Sequence, residues 1–238
     1  MSNAPVIVLV LLPGMDGTGD LFEPFIQALN PNIQTTVVSY PNSVILSYEE
    51  LSVLASEFIP IDRPYMLLAE SFSGPIAISL AANASKHLKG LILSSTFAKN
   101  PRPKLSKLSF LLPTLPINKT SFLLLHKLLM AGFSNKNISQ RLFDAVSMVS
   151  PKTMRARLDA VIHVDKSSAL ASINVPILYL QGRYDYLVPA AAAQFILKAA
   201  KNVALVELEA PHLLLQIAPK QAAAKVQAFI ENALKYQA

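Results

Sequence analysis

The chain has 238 residues, 52% of them hydrophobic and 15% charged, which suits one α/β domain with an insertion and a large core. This composition excludes a disordered or fibrous protein, and the absence of cysteine excludes disulfides, thiolate metal sites and a cysteine nucleophile. The +6 charge is uneven: residues 99–166 hold twelve Lys/Arg against three Asp/Glu (net +9), and the rest holds nine against twelve (net −3).

The basic residues of 99–166 stand singly, with no interleaved aromatics, so a solvated helical surface is expected and no nucleic-acid partner. No apolar run reaches the roughly 18–20 residues of a membrane span. The apolar run at 4–13 lacks a basic leader and a cleavage site, so it reads as a strand, and a soluble, cytoplasmic protein is expected.

Residues 6–12 form a continuous apolar, β-branched run, the pattern of a strand covered on both faces. Pro13-Gly14-Met15-Asp16-Gly17-Thr18-Gly19-Asp20 is a glycine-rich loop. Its spacing fits neither a phosphate loop nor a dinucleotide fingerprint, so it reads as a turn. Asp16 reads as structural, capping the next helix or steadying the loop. A helix with apolar Leu21, Phe22, Phe25, Ile26 and Leu29 follows, then a strand at 33–38 and an amphipathic helix at 48–59.

Residues 65–69 read as a buried strand that turns at once into a helix at 75–82. Between them lies Ala69-Glu70-Ser71-Phe72-Ser73-Gly74. A serine at the tip of a strand-to-helix turn, with small residues two before and two after it, fits a nucleophile elbow. Ser73 fails as the nucleophile because Pro75 would occupy the position that needs a small residue. A fourth strand is expected at 89–95. Four prolines then punctuate a helical region that runs to about residue 168, with helical periodicity at 122–130 and 138–149. Alternation resumes with a strand at 175–180, a helix at 190–200, a strand at 203–208 and a final helix at 217–236. About six strands alternating with helices predict a doubly wound, mostly parallel α/β sheet. Ligands of such sheets bind beyond the carboxyl ends of the strands.

A serine hydroxyl needs an adjacent base, and the base needs an orienting acid. Of the four histidines, His87, His126 and His163 lie in a connection or in the helical region. His212 follows the strand at 203–208, and Asp185 follows the strand at 175–180. The order Ser71, Asp185, His212, each after a different strand, is the order expected for a triad on this sheet. The scattered histidines give no metal site, and no cofactor is expected.

On these motifs the chain resembles an α/β-hydrolase. Gly182-Arg183-Tyr184-Asp185-Tyr186-Leu187-Val188-Pro189 is similar to the family's acid loop, and the stretch from Ala210 to Pro219 to its histidine loop. Leu11 to Gly19 resembles the oxyanion loop, with Pro13 where the family commonly has histidine, and Ala69 stands for the elbow's first glycine. The resemblance implies backbone N–H donors at Met15 and Phe72. It implies a core of 1–97 and 169–238 carrying a helical lid at 98–168, and absence of the family's first two antiparallel strands. It also implies a serine hydrolase, and the leucines and phenylalanines of the insertion predict uncharged esters of short to medium acyl chain. Expected substrate contacts are Gly14, Leu125 and Leu129, the last two on an apolar lid underside with Leu111, Leu112, Phe122, Leu128 and Phe133. Thioester and lactone cleavage use the same groups, as do a lipophilic acyltransferase or ester synthase. A non-catalytic ligand-binding member of the fold is a further alternative.

Overall fold

A computed structural model describes residues 7–104, 119–133 and 135–235. Residue 6 of the first strand, Leu111, Leu112, Pro113, Pro116 and Tyr236 lie outside the described residues. Six strands form one sheet: β1 Val8–Leu12, β2 Gln34–Val37, β3 Tyr65–Glu70, β4 Leu88–Ser94, β5 Ile177–Tyr184 and β6 Val203–Pro211. The order is β2-β1-β3-β4-β5-β6, and every pairing is parallel.

The continuous apolar strands are explained by the two layers that cover them. Val8, Val10, Leu12, Leu67, Ala69, Leu91 and Leu93 face one layer, built from α2 (Tyr48–Ser56), α3 (Gly74–Ala82) and α8 (Ala190–Ala199). Leu9, Leu11, Met66, Leu68 and Ile92 face the other, built from α1 (Glu23–Ala28) and α10 (Pro219–Lys235). Alternate residues of each strand thus bury on opposite faces, as the period of two requires. α2 starts on a capping box, in which Ser47 Oγ accepts from Glu50 N and Glu50 Oε2 from Ser47 N.

β2 lies on one side of β1 and β3 on the other, so the winding reverses between β1 and β3. The crevice at such a switch point opens beyond the carboxyl ends of the strands. Here it is flanked by the 13–19 loop after β1 and by Ser71 after β3.

Several boundaries differ from the sequence expectation, each for a local reason. Gln181 and Gly182 read as loop but pair with Glu207 and Leu208, so β5 and β6 run longer. Gly182 permits this, since a Cβ there would lie 2.7 Å from the Ala210 carbonyl oxygen. The final helix is two helices, α9 (Leu214–Ile217) and α10. Pro219 forces Ala218 out of helical geometry (ψ 48°) and then starts α10. The first helix begins as a 3₁₀ turn at Asp20–Phe22 before α1, where proline stands in the first turn.

Between β4 and β5 the described residues form four helices, α4 (Lys119–Met130), α5 (Lys136–Met148), α6 (Pro151–His163) and α7 (Ser167–Ser172). An isolated antiparallel bridge joins Lys99 to Asp165 at the base of this segment. Leu129, Met130, Ile138, Leu142 and Ala145 form a third apolar cluster with Leu21 and Leu213, and Leu125 and Leu187 pack on its rim. That cluster therefore touches the chain beyond β1, β5 and β6.

Gly182→Ala should lower stability by about 1–3 kcal/mol, because the added methyl must push β6 away. The midpoint of urea unfolding reads this directly.

Candidate active site

The turn after β3 places Ser71 at φ 51°, a left-handed conformation that a residue with a side chain adopts at a cost of about 1–3 kcal/mol. Four hydrogen bonds hold it. Thr96 Oγ1 donates to Ser71 O, and Gly74 N donates to the same carbonyl. Tyr48 Oη donates to Phe72 O at 3.1 Å, and Ser73 Oγ donates to Pro13 O. Gly74 is required at its position, since a Cβ there would strike Thr96. Phe72 is buried between Tyr40 and Tyr48, stacked on the latter at 4.8 Å.

His212, buried in the loop after β6, reaches Ser71 Oγ with Nε2 at 2.8 Å and Asp185 Oδ2 with Nδ1 at 2.8 Å. Asp185 Oδ1 accepts from the N–H groups of Leu187 and Val188, both at 2.9 Å, which fixes the carboxylate. An acceptor-only carboxylate opposite Nδ1 puts the imidazole proton there, leaving the Nε2 lone pair for the serine hydroxyl. Three loops from three strands thus meet in one hydrogen-bonded chain.

The 13–19 loop lies beside Ser71. Gly17 and Gly19 take φ 73° and 81°, and Gly17 N closes a turn onto Gly14 O at 3.1 Å. Asp16 steadies the loop and caps no helix: Oδ2 accepts from Thr18 N at 2.9 Å and from Thr18 Oγ1 at 2.7 Å. None of the loop's hydrogen bonds among the described residues uses the Met15 N–H. Phe72 is second in the helical turn that begins at Ser71, so its N–H has no acceptor within that turn. Neither N–H has a backbone acceptor among the described hydrogen bonds.

Leu129 is buried in the third apolar cluster and its carbonyl accepts from Leu213 N at 3.4 Å, next to His212. Leu125 packs on that cluster's rim, and Gly14 sits in the turn before Met15. Ser94 and Ser95 are buried at the end of β4, and Ser95 also has positive φ (46°). Two of the other histidines bond elsewhere: His126 Nε2 lies 2.8 Å from Ser139 Oγ, and His163 Nδ1 2.9 Å from Asp159 O. Among the described residues no cluster of three or more His, Asp or Glu is placed to hold a metal, and no helix is long and apolar enough to cross a membrane.

Residues that the sequence reading missed complete the surroundings. Tyr40 Oη lies 2.7 Å from Ser73 Oγ, and burial pushes that phenol well up. Tyr179 Oη donates to Thr96 O at 2.6 Å and accepts from Thr96 N. Tyr40 and Thr96 each follow a strand, which is the signal that could have found them. Arg157 of α6 is buried and donates to Met15 O, Asp16 O and Pro41 O; nothing local marks it. This departs from the solvated basic surface expected for 99–166.

Glu70 adjoins Ser71 and is buried, and its Oε2 accepts from Gln216 Nε2 at 3.2 Å. Glu70 Oε1 and Gln216 Oε1 have no partner among the described residues. Burial raises the Glu70 carboxyl to about 7 against the pull of the Gln216 hydrogen bond and the nearby His212.

The sheet, its helices and the placement of these loops define an α/β-hydrolase fold. Consistent with this, the family described as "Serine aminopeptidase, S33" matches residues 52–210, and the chain belongs to that hydrolase family. Similar solved structures include a lipase-esterase related protein from Clostridium acetobutylicum, with a TM-score of 0.81 and 16% identity over 94% of this chain and 95% of that one. A hydrolase from Oleispira antarctica gives 0.81 and 17% over 97% and 92%. An enol-lactonase from Burkholderia xenovorans gives 0.79 and 18%, again over 97% and 92%. Comparison with curated proteins finds no match.

The raised Glu70 carboxyl has a pH signature. The folded state holds this proton up to about 7 while the unfolded chain releases it near the ordinary 4.5, so folding stability falls as pH rises through that window. Relative to Glu70→Gln, the wild type should lose roughly 2–3 kcal/mol between pH 5 and pH 8, read by urea unfolding at the two pH values.

Proposed function

We propose that the protein is a serine hydrolase that cleaves uncharged carboxylic esters of short to medium acyl chain. The observation that carries this reading is the unbroken chain from Ser71 Oγ through His212 to Asp185, with 2.8 Å at both links. His212 Nε2 takes the hydroxyl proton as Ser71 Oγ attacks the ester carbonyl. Asp185 stabilises the imidazolium that forms. The N–H groups of Met15 and Phe72 receive the oxyanion, and donors already held in place need no reorganisation. His212 returns the proton to the leaving alcohol. Water then attacks the acyl-enzyme by the same base and releases the acid.

The surroundings favour an uncharged, apolar acyl group. Leu21, Leu129, Leu187 and Leu213 bring apolar surface to three of the loops that carry the site. We assign Leu125, Leu129 and Gly14 to substrate contact and the helical segment 98–168 to a lid over it. A free amino terminus of a peptide would need an accessible carboxylate. The carboxylates beside Ser71 are instead buried and engaged: Asp16 with Thr18, Glu70 with Gln216, Asp185 with His212.

Ser71→Ala should keep the fold and lower kcat for p-nitrophenyl esters by at least about 10³-fold, and it should abolish labelling by a fluorophosphonate. In a chain-length series the wild type should peak at or below about twelve acyl carbons. A later peak, or no turnover at any length, would count against the substrate class. Added alcohols should not outcompete water; dominant transfer to them would make the protein an acyltransferase.

A further inference from the structure

Arg157 is nearly inaccessible, at 3% exposure, yet no carboxylate is hydrogen-bonded to it among the described residues. A buried cation without such a partner is costly unless its donors are otherwise used. Here they are spent on backbone. Nη1 donates to Met15 O at 2.6 Å and to Asp16 O at 3.0 Å, and Nη2 donates to Pro41 O at 3.0 Å. Two successive peptide units of the 13–19 loop are thereby tied to the chain after β2, from a helix 142 residues away.

The loop is shaped to receive the guanidinium. A Cβ on Gly17 would lie 2.8 Å from Nη1, 3.1 Å from Nη2 and 3.0 Å from Tyr40 Cβ. Gly17 is therefore pressed between Arg157 and Tyr40, whose ring centre lies 5.9 Å from the guanidinium. Tyr40 N also donates to Gly17 O at 2.7 Å. The planar fork can reach three carbonyls of two loops at once, and a lysine ammonium cannot. α6 is itself fixed at its start, where Ser150 Oγ accepts from Thr153 N and Ser150 N donates to Asn42 O.

Charge adds a second role. The buried Asp16 carboxylate lies in the same loop, and its field opposes any negative charge forming near the Met15 N–H. Arg157 is the cation that faces it.

We propose that Arg157 is a positioning residue for the oxyanion step: by clamping Met15 O and Asp16 O it fixes the peptide whose Gly17 N–H holds Gly14 O, and with it the Gly14–Met15 peptide that carries the Met15 N–H, and it offsets the Asp16 carboxylate. The inference rests on the serine hydrolase reading above. The helical segment between β4 and β5 is then part of the machinery that stabilises the transition state, in addition to any part in covering the substrate. Arg157 touches no substrate, so its effect appears in kcat and in the affinity for a tetrahedral adduct, with little change in KM.

The test compares Arg157→Ala, Arg157→Lys and Arg141→Ala with wild type. Arg141 pairs with Glu23 on the exposed flank of the same helical segment, so its removal controls for loosened docking. With p-nitrophenyl butyrate, Arg157→Ala should lower kcat by about 10–100-fold while KM moves less than about threefold. An alkylboronic acid, which forms a tetrahedral adduct on serine, should bind more weakly by a similar factor. Guanidinium chloride at non-denaturing concentration should restore part of the Arg157→Ala rate by refilling the vacated space. Arg141→Ala should stay within about twofold of wild type. Arg157→Lys keeps the charge and most of the volume, so it decides the matter if the alanine variant does not fold; it too should lose kcat. Wild-type kcat and boronate affinity in the lysine variant would overturn the proposal. So would a loss without weaker boronate binding and without guanidinium rescue, which is the pattern of a merely structural residue. Wild-type protein that neither turns over the ester nor takes a fluorophosphonate on Ser71 would overturn the hydrolase reading and this proposal with it. Normal wild-type labelling with unaffected Arg157 variants would overturn this proposal alone.

Discussion

The left-handed backbone at Ser71 is the constraint on which the candidate site depends. An isolated residue relaxes out of that conformation, so it persists only where its surroundings over-determine it. The surroundings here are hydrogen bonds at three successive residues of the turn, two through their carbonyls and one through its hydroxyl. Ser71 O is held by Thr96 and Gly74, Phe72 O by Tyr48, and the Ser73 hydroxyl is itself tied to Pro13 O. Each tie reaches a different element, so the strain at one residue is shared by β1, α2, β4 and α3. Thr96 is in turn held by Tyr179 of β5, which extends the same restraint to the strand that leads to Asp185.

The elbow was legible because it has a local signature. Strand periodicity stops, small residues flank a serine, and helix periodicity begins. Asp185 and His212 were legible for a related reason: each directly follows an apolar strand, and a parallel sheet delivers all such loops to one edge. The inner strands could be counted because strands covered on both faces are continuously apolar, while the two edge strands, β2 and β6, are only partly covered and carry polar residues. Boundaries were harder. The stretch around Gly182 has a turn composition, and only the close approach of Ala210 and Pro211 shows that it is strand. The break at Ala218 was carried by a single proline, which the apolar periodicity on both sides concealed.

The residues that shape the loops without lying in a motif left little mark in the sequence beyond the position of Tyr40 and Thr96 just after strands. Tyr48, Thr96 and Arg157 act through side-chain to backbone hydrogen bonds and Tyr40 through a bond to the Ser73 hydroxyl, all across long sequence separations, and such bonds place no requirement on neighbouring residues. A carbonyl acceptor has no side-chain identity to read. The charge asymmetry of 99–166 was visible, but its use was not. Arg141 and Lys166 pair with Glu23 and Glu49, outside that stretch, so part of its positive excess answers the negative remainder of the chain.

Two arginines of the same stretch do something different. Arg157 holds carbonyls of the 13–19 loop, and Arg102 donates to Leu187 O at 2.9 Å and to Tyr186 O in the loop that follows Asp185. These two loops carry opposite needs. In the reaction proposed above, one presents N–H groups to a forming anion and the other a carboxylate to a forming cation. In the first loop the held carbonyls are Met15 O and Asp16 O, and the Gly17 N–H opposite Asp16 O closes onto Gly14 O, which fixes the peptide that carries the Met15 N–H. In the second loop the N–H groups of Leu187 and Val188 are turned onto Asp185, and the carbonyls they leave outward are those that Arg102 engages. The same physical device, a guanidinium on loop carbonyls, therefore holds the peptides of both loops while contributing no reacting group to either.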